Sequence, residues 1–380
     1  MKKILIVQDN LRMGGIQKSL VNFLNALSSE YDLTVLLFER GGALSAQIPK
    51  QVRVRYAHPA YSLLNVTKKQ TRRRPALFLA KTFFYLWSRF FGRKSAMRLL
   101  GVFQKKLRGY DIAISYAHPM VKSAFSGGAA EFVLQKVQAE RKFCFVHCDY
   151  QHSGNAEPYT NELYGKFNKI VCVSESVKER FLFVLPALAD RTQVLYNFYD
   201  LNVVGLAEKG DVLFDPSALN LVTVARLSPE KGIDRMIEAI HLSSRRDLCY
   251  YVVGSGPAEV SLCALVERYG LGKQVFFVGE TMNPYVYMKQ ADYVVVSSYH
   301  EAAPMVFDEA KTLGVPVIAT ETTSAREMLG EQYGIVCDNS TEGLLAVLRR
   351  IKKHGQFETI TVDNNMQKAQ FEKLCFSGEI

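Results

Sequence analysis

The chain has 380 residues, of which 48% are hydrophobic and 22% charged, and it holds 23 Phe and 19 Tyr. That length exceeds one compact core and suits two domains of about 150 to 200 residues, and the apolar content excludes a disordered polymer. The net charge of +10 is local, because residues 40–110 hold 17 Lys or Arg and no Asp or Glu, which leaves the other 309 residues at −7.

Residues 4–7 (ILIV) predict a strand. A polar loop ending in Gly14 and Gly15 follows, then Ile16, Leu20, Phe23, Leu24 and Leu27 at helical spacing. So short an apolar run after Met1-Lys2-Lys3 lacks the core of a secretion signal, so the protein is expected to stay in the cytoplasm. Residues 33–38 (LTVLLF) predict the second strand. Residues 75–91 (PALFLAKTFFYLWSRFF) read as an aromatic helix, interrupted by Lys81 and Arg89 and short of the ~20 apolar residues that span a bilayer. It sits in a basic segment, 66–108, with Lys68, Lys69, Arg72, Arg73 and Arg74 on one side and Arg93, Lys94 and Arg98 on the other. Such a pattern suits the headgroup layer of an anionic membrane. It also suits a core helix with a solvated basic face.

Further strands are predicted at 111–116, 143–147 and 170–174, each followed by polar or helical sequence. Residues 199–217, with Gly205, Gly210 and Pro216, read as a linker. The rhythm restarts with strands at 219–225, 250–253, 275–278, 293–296 and 315–319. Alternating strands and helices in both halves give an α/β class with two doubly wound, Rossmann-like domains and a cleft between them. The domains are expected at 1–200 and 201–362, followed by a helical segment at 363–380. Seven cysteines without a C-x-x-C pair fit reduced thiols. Cys144, His147 and Cys148 match no zinc spacing, so no metal is expected.

Ligands of open parallel sheets bind beyond the carboxyl ends of strands. There Arg226 ends one strand, and Ser228-Pro229 resembles a helix start, so that Arg226, Lys231 and free helix N–H groups can converge on a diphosphate. Two solvated surface cations are the plainer alternative. Gly254-Ser255-Gly256-Pro257 forms a tight turn after the next strand, where glycines let a ligand approach the backbone or simply serve the turn. Residues 300–310 (HEAAPMVFDEA) place Glu301 in a loop, Pro304 in the first helical turn and Glu309 inside the helix, with the amides of Met305 and Val306 free to meet an anion. In the first half, His147 and His118 each follow a strand, and Asp149 is positioned either to orient His147 or to cap the next segment.

The order Gly14-Gly15, Arg226 to Lys231-Gly232, Gly254-Ser255-Gly256-Pro257, Glu301 to Glu309 and Pro316 to Thr320 resembles glycosyltransferase family 4, retaining enzymes of GT-B fold. The resemblance covers about 330 residues. It implies a nucleotide-sugar donor, UDP-linked by preference, bound by the second domain, and a lipid-linked glycan acceptor bound by the first, in surface-polysaccharide synthesis at the inner face of the membrane. It also implies metal-independent transfer with no cofactor. Arg226 and Lys231 would hold the pyrophosphate, with Gly15 and Gly254 close by; Glu309 would hold the ribose, and Glu301 and His147 the sugar beside the reacting carbon. The helix after residue 362 would cross back onto the first domain. Three positions depart from the family pattern: Ala302 follows the first glutamate in place of Gly, Glu321-Thr322 stands where a Gly-Gly pair is usual, and Ile16-Gln17 stands where relatives often carry a small residue and Glu. The alternatives are a nucleotide-sugar epimerase of the same fold, which would need no acceptor, and a basic nucleic-acid-binding protein.

Overall fold

The computed structural model describes residues 1–66, 75–120, 125–210, 214–353 and 362–376. Lys68, Lys69, Arg72, Arg73 and Arg74 lie outside these described residues. The chain divides into two compact units, Met1–Phe198 with Asn364–Ile380, and Tyr199–Asp363.

The first unit holds a seven-stranded parallel sheet in the order β3-β2-β1-β4-β5-β6-β7. Its strands are β1 (Lys3–Gln8), β2 (Asp32–Leu37), β3 (Arg53–Tyr56), β4 (Leu107–Ser115), β5 (Val137–Val146), β6 (Lys169–Cys172) and β7 (Thr192–Val194). Central strands covered on both faces need unbroken apolar runs, and Ile4, Leu5, Ile6 and Val7 are fully buried. The edge strand β3 (RVRY) is exposed throughout, so burial imposes no apolar pattern on it. The helix Gly15–Leu27 buries Phe23, whose ring meets Tyr116, Phe145, Phe198 and Phe371 edge-on. Phe371 belongs to the helix Asn365–Phe376, which is sequestered against Tyr31 and whose Leu374 and Cys375 carbonyls accept from Arg141.

The second unit holds a six-stranded parallel sheet in the order β10-β9-β8-β11-β12-β13. These are β8 (Leu219–Val224), β9 (Leu248–Val253), β10 (Val275–Gly279), β11 (Tyr293–Val296), β12 (Val317–Thr320) and β13 (Gly334–Cys337). One apolar cluster packs the helix Ile233–Ser243 over one face, and another packs the helix Met305–Thr312 over the opposite side. Part of the stretch read as a linker is helical: Val203–Ala207 buries Val203 and Ala207 against Tyr285 and Met288. In both sheets the strand order reverses beside the first strand, between β1 and β4 and between β8 and β11. Such reversals open the crevice where ligands of doubly wound sheets bind.

Candidate active site

In the second unit, the loops after β8 and β11 meet at that crevice. Ser228 and Pro229 begin only a single 3-10 turn, Pro229–Lys231, not the helix its sequence suggests. Gly232 then takes a left-handed φ of 59°, and the helix Ile233–Ser243 starts beyond it. No other residue fits there, because a Cβ on Gly232 would lie 2.1 Å from the Ser297 carbonyl oxygen. The turn therefore aims Lys231 at the β11 loop. Its Nζ donates to Glu301 Oε1 at 2.6 Å, and Ser298 Oγ donates to the same oxygen at 2.7 Å. The Ser297 hydroxyl closes the circuit on the Lys231 carbonyl at 3.1 Å. Arg226 is exposed, and while its carbonyl accepts from the Ser228 N–H at 2.9 Å, its guanidinium makes no hydrogen bond among the described residues. One exposed guanidinium and one ammonium neutralised by a carboxylate thus stand at the end of β8. An incoming dianionic phosphate would find Arg226 open and would compete with Glu301 for Lys231.

Arg235, buried at 3% exposure, fixes the loop that carries Glu301. Its guanidinium donates to the Ser297 carbonyl at 2.7 Å, the Ser298 carbonyl at 2.5 Å and Thr320 Oγ1 at 3.1 Å, and lies 4.0 Å from the Tyr299 ring centre. Pro304 precedes the helix Met305–Thr312 as its N-cap, so the amides of Met305 and Val306 belong to the first turn. Ser324 Oγ donates to the Ala302 carbonyl, which ties the position of the family departure to the loop after β12. Glu309, 6% exposed, lies deep in the helix beside Tyr285, whose hydroxyl is kept un-ionised by burial and by the fields of Glu309 and Asp200.

Gly254 corrects the expectation of a ligand-facing glycine. A Cβ there would sit 1.9 Å from the Ala225 carbonyl oxygen, and one on Gly256 would sit 2.2 Å from that of Leu227. The space beside each glycine is filled by the β8 loop. The N–H of Leu227 donates to the Ser255 carbonyl at 2.9 Å and that of Ala258 to the Leu227 carbonyl at 2.9 Å. These glycines let two loops lie backbone against backbone.

In the first unit, Gly15 opens its helix, is exposed, and has nothing within 4 Å of its Cβ position. His147 follows β5, its ring stacked 5.6 Å from Phe145, and burial with help from His118 depresses its pKa to about 3. Burial likewise lowers His118 to about 4. Asp149 caps the next turn, accepting from the His152 amide at 3.2 Å and from its imidazole at 3.0 Å. Asp9, at the end of β1, is pushed up to about 7 by burial and by Glu131, against the pull of Arg93.

The basic patch needs a second correction. Arg93 is 1% exposed and its Nε donates to the buried Glu131 carboxylate at 2.6 Å, so it meets no headgroup. Lys94 is exposed but paired with Glu162 at 3.0 Å, and Arg98 is exposed. Nor is the helix Pro75–Phe91 a core helix: it buries only Phe84 and Ser88. No helix among the described residues is long and apolar enough to cross a membrane, and they contain no cluster of three or more metal-ligating side chains.

Sequence reasoning overlooked Asp9 and Arg235. Asp9 stands directly after a strand and was accessible to the same rule that singled out Arg226. Arg235 partners carbonyls 62 and 63 residues away, which no local pattern announces.

Residues 208–367 match the family model described as Glycosyl transferases group 1. The Escherichia coli O-antigen biosynthesis glycosyltransferase WclY is 24% identical over 192 residues, covering 50% of this chain and 53% of that one. The Rhizobium meliloti lipopolysaccharide core biosynthesis glycosyltransferase LpsD is 27% identical over 162 residues, covering 42% and 47%. The matched stretch thus spans about half the length of these two relatives. Among solved structures, Anabaena Alr3699/HepE in complex with UDP-glucose superposes with a TM-score of 0.63 at 18% identity, covering 98% of this chain and 99% of that one. At that identity the likeness speaks for the fold, which is GT-B. The pattern of strands, the crevice with Arg226, Lys231 and Glu301, and the match of residues 208–367 to the group 1 glycosyl transferase model coincide in the second unit.

Proposed function

We propose that this chain is a retaining glycosyltransferase of family 4 that moves a hexose-type sugar from a nucleotide-sugar, UDP-linked by preference, to a lipid-linked glycan in surface-polysaccharide synthesis. The observation that carries the reading is the contact of Lys231 with Glu301 beside the exposed Arg226, inside the stretch that matches the family model. The UDP-glucose bound to the Anabaena neighbour and the O-antigen role named for the Escherichia coli relative support the donor and acceptor classes.

In the reaction, the bond from the anomeric carbon to the diphosphate oxygen breaks, and a bond to the acceptor hydroxyl oxygen forms on the same face. Charge grows on the leaving phosphate and on an oxocarbenium-like sugar. Arg226, Lys231 and the amides of Met305 and Val306 stabilise the phosphate without a metal, and the acceptor proton passes to that phosphate. Glu301, released as Lys231 turns to the phosphate, holds sugar hydroxyls beside the reacting carbon, Glu309 the ribose, and His147 a sugar hydroxyl. The test is a thermal-shift screen of UDP-, GDP- and ADP-sugars, followed by transfer of labelled sugar into a lipid-linked acceptor. Glu301→Ala and Lys231→Ala should each reduce transfer at least 100-fold without unfolding the protein; near wild-type turnover in either sinks the assignment. A changed donor sugar in the absence of acceptor would instead favour an epimerase.

A second part of the proposal is attachment to the cytoplasmic face of the membrane. Phe78, Leu79, Phe83, Tyr85, Leu86, Phe90 and Phe91 on the helix Pro75–Phe91 are between 45% and 77% exposed, beside the exposed cations Arg89 and Arg98. Apolar rings rimmed by cations match an anionic headgroup layer. Sedimentation with anionic vesicles should drop several-fold in Phe90→Ser/Phe91→Ser and in Arg98→Gln. Equal binding to neutral and anionic vesicles refutes it.

A further inference from the structure

Among the described strands, β3 alone is exposed at every residue, and it lies at the edge of the first unit's sheet. Along an extended strand, the N–H and C=O groups of successive residues point to alternate sides. The Ala57 N–H donates to the Leu37 carbonyl of β2 at 2.9 Å, so the backbones of Arg53 and Arg55 also face β2, and those of Val54 and Tyr56 face outward. The outward N–H groups on either side of them are already satisfied. That of Val52 donates to the Pro49 carbonyl at 3.0 Å, and that of His58 to Gln104 Oε1 at 2.8 Å. Between these closed ends, the outward N–H and C=O groups of Val54 and Tyr56 meet no partner among the described residues. They form a short ladder ready to receive another strand.

Side chains alternate as well. Arg53 and Arg55 share one face of β3, while Val54 and Tyr56, each 40% exposed, share the other. Asp32 matches Arg53 at 2.5 Å, whereas Arg55 donates to the Tyr110 hydroxyl at 3.3 Å and meets no carboxylate among the described residues. The Arg40 guanidinium lies 4.7 Å from the Tyr56 ring centre. The strand falls within residues 40–110, which hold 17 Lys or Arg and no Asp or Glu. A second copy pairing through β3 would set arginines against arginines, and like charges across a ladder destabilise it. The complement is a strand with carboxylates on the face of Arg53 and Arg55 and apolar side chains on the face of Val54 and Tyr56.

We propose that β3 is a docking edge for an extended segment of a partner protein in which Asp or Glu alternates with apolar residues, and that this segment adds a further strand to the sheet. The docking does not depend on the transfer reaction proposed above.

The probe is the capped, fluorescently labelled peptide Asp-Val-Glu-Tyr-Glu-Val-Asp, titrated with the full chain at low salt and followed by polarisation. It is compared with a version carrying Lys at every acidic position, and with two versions N-methylated at alternate residues, one in each register. Wild type should bind the acidic peptide in the micromolar range and the Lys version at least ten-fold more weakly. Arg55→Glu and Val54→Pro should each weaken acidic-peptide binding five-fold or more, and so should N-methylation in at least one register. Proline suits position 54 because the N–H it removes points away from β2. A melting curve is taken for each variant, and if Val54→Pro fails to fold, the N-methylated peptides on wild type decide. Absence of binding to wild type, equal binding of the Lys version, or binding within two-fold of the parent peptide in both N-methylated registers overturns the docking edge. Unchanged peptide binding by a folded Arg55→Glu also overturns it; if that variant instead sediments less with anionic vesicles, the cations of β3 serve lipid.

Discussion

Arg93 and Glu131 form an ion pair with 0% and 1% side-chain exposure and an N–O distance of 2.6 Å. Glu131 also accepts from the Tyr159 hydroxyl at 3.0 Å, and Arg93 donates to the Ser126 carbonyl at 3.0 Å. Removing the carboxylate with Glu131→Ala strands a guanidinium away from water, a loss of about 3–5 kcal/mol. For a domain of this size each kcal/mol moves the melting midpoint by about 2–4 °C, so the variant should melt roughly 10 °C or more below wild type. Asp9 adds a twist. Its carboxyl is held up to about 7 partly by Glu131 and opposed by Arg93, so once Glu131 is neutral Asp9 should ionise and serve as a substitute counter-ion. Glu131→Gln should therefore cost less than Glu131→Ala, about 2 kcal/mol at pH 7.5. Adding Asp9→Asn to it should cost at least about 1 kcal/mol more than the two single changes together, the signature of coupled sites. Denaturant melts of the four proteins at that pH read the cycle directly. Additivity, or a Glu131→Ala midpoint within 2 °C of wild type, would refute the buried pair as a support of this unit.

Asp9 also sets a pH dependence. Its folded pKa of about 7 exceeds the unfolded value of 3.8, so ionising it penalises the fold progressively between pH 4 and 7 and fully above, by at most about 4 kcal/mol. Asp9→Asn should raise the midpoint at pH 8 and lose that advantage near pH 4; an equal effect at both pH values contradicts the assignment. His118 and His147 act in the opposite direction, because their depressed values mean that stability falls as pH drops from 6.5 through about 4. His118→Phe should flatten that decline in acid melts. Gly254→Ala forces a Cβ to 1.9 Å from a backbone oxygen at a φ of 143° and should cost roughly 2–4 kcal/mol. Gly15→Ala, with open space around its Cβ, should leave the midpoint within about 1 °C.

The interior strands were legible because burial on both faces demands continuous apolar runs, and residues 4–7 or 293–296 can serve no other purpose. Edge strands escaped notice where that demand lapses: Arg53 and Arg55 alternate in β3 with no buried face, and β7 has only three residues. Ser228-Pro229 carries a sound helix-start signature, overridden by the left-handed turn at Gly232 that contact with Ser297 imposes. The strand-end rule led to Lys231 and Glu301, which the structure brings into contact. It was silent on whether the room beside Gly254 held a ligand or a neighbouring loop. Arg93 and Arg98 are indistinguishable in sequence. Only Glu131, 38 residues on, makes one of them interior.

The helix Asn365–Phe376 has a consequence for how the chain is made. Phe371 closes over Phe23 and Tyr31, and Lys2 reaches the Cys375 carbonyl across 373 positions of sequence. The unit that begins emerging from the ribosome first is therefore the one finished last. Residues 199–363 emerge as an uninterrupted stretch and can fold while the earlier unit still exposes the aromatic seat of its closing helix. That seat, centred on Phe23, is where a nascent-chain chaperone would be needed longest.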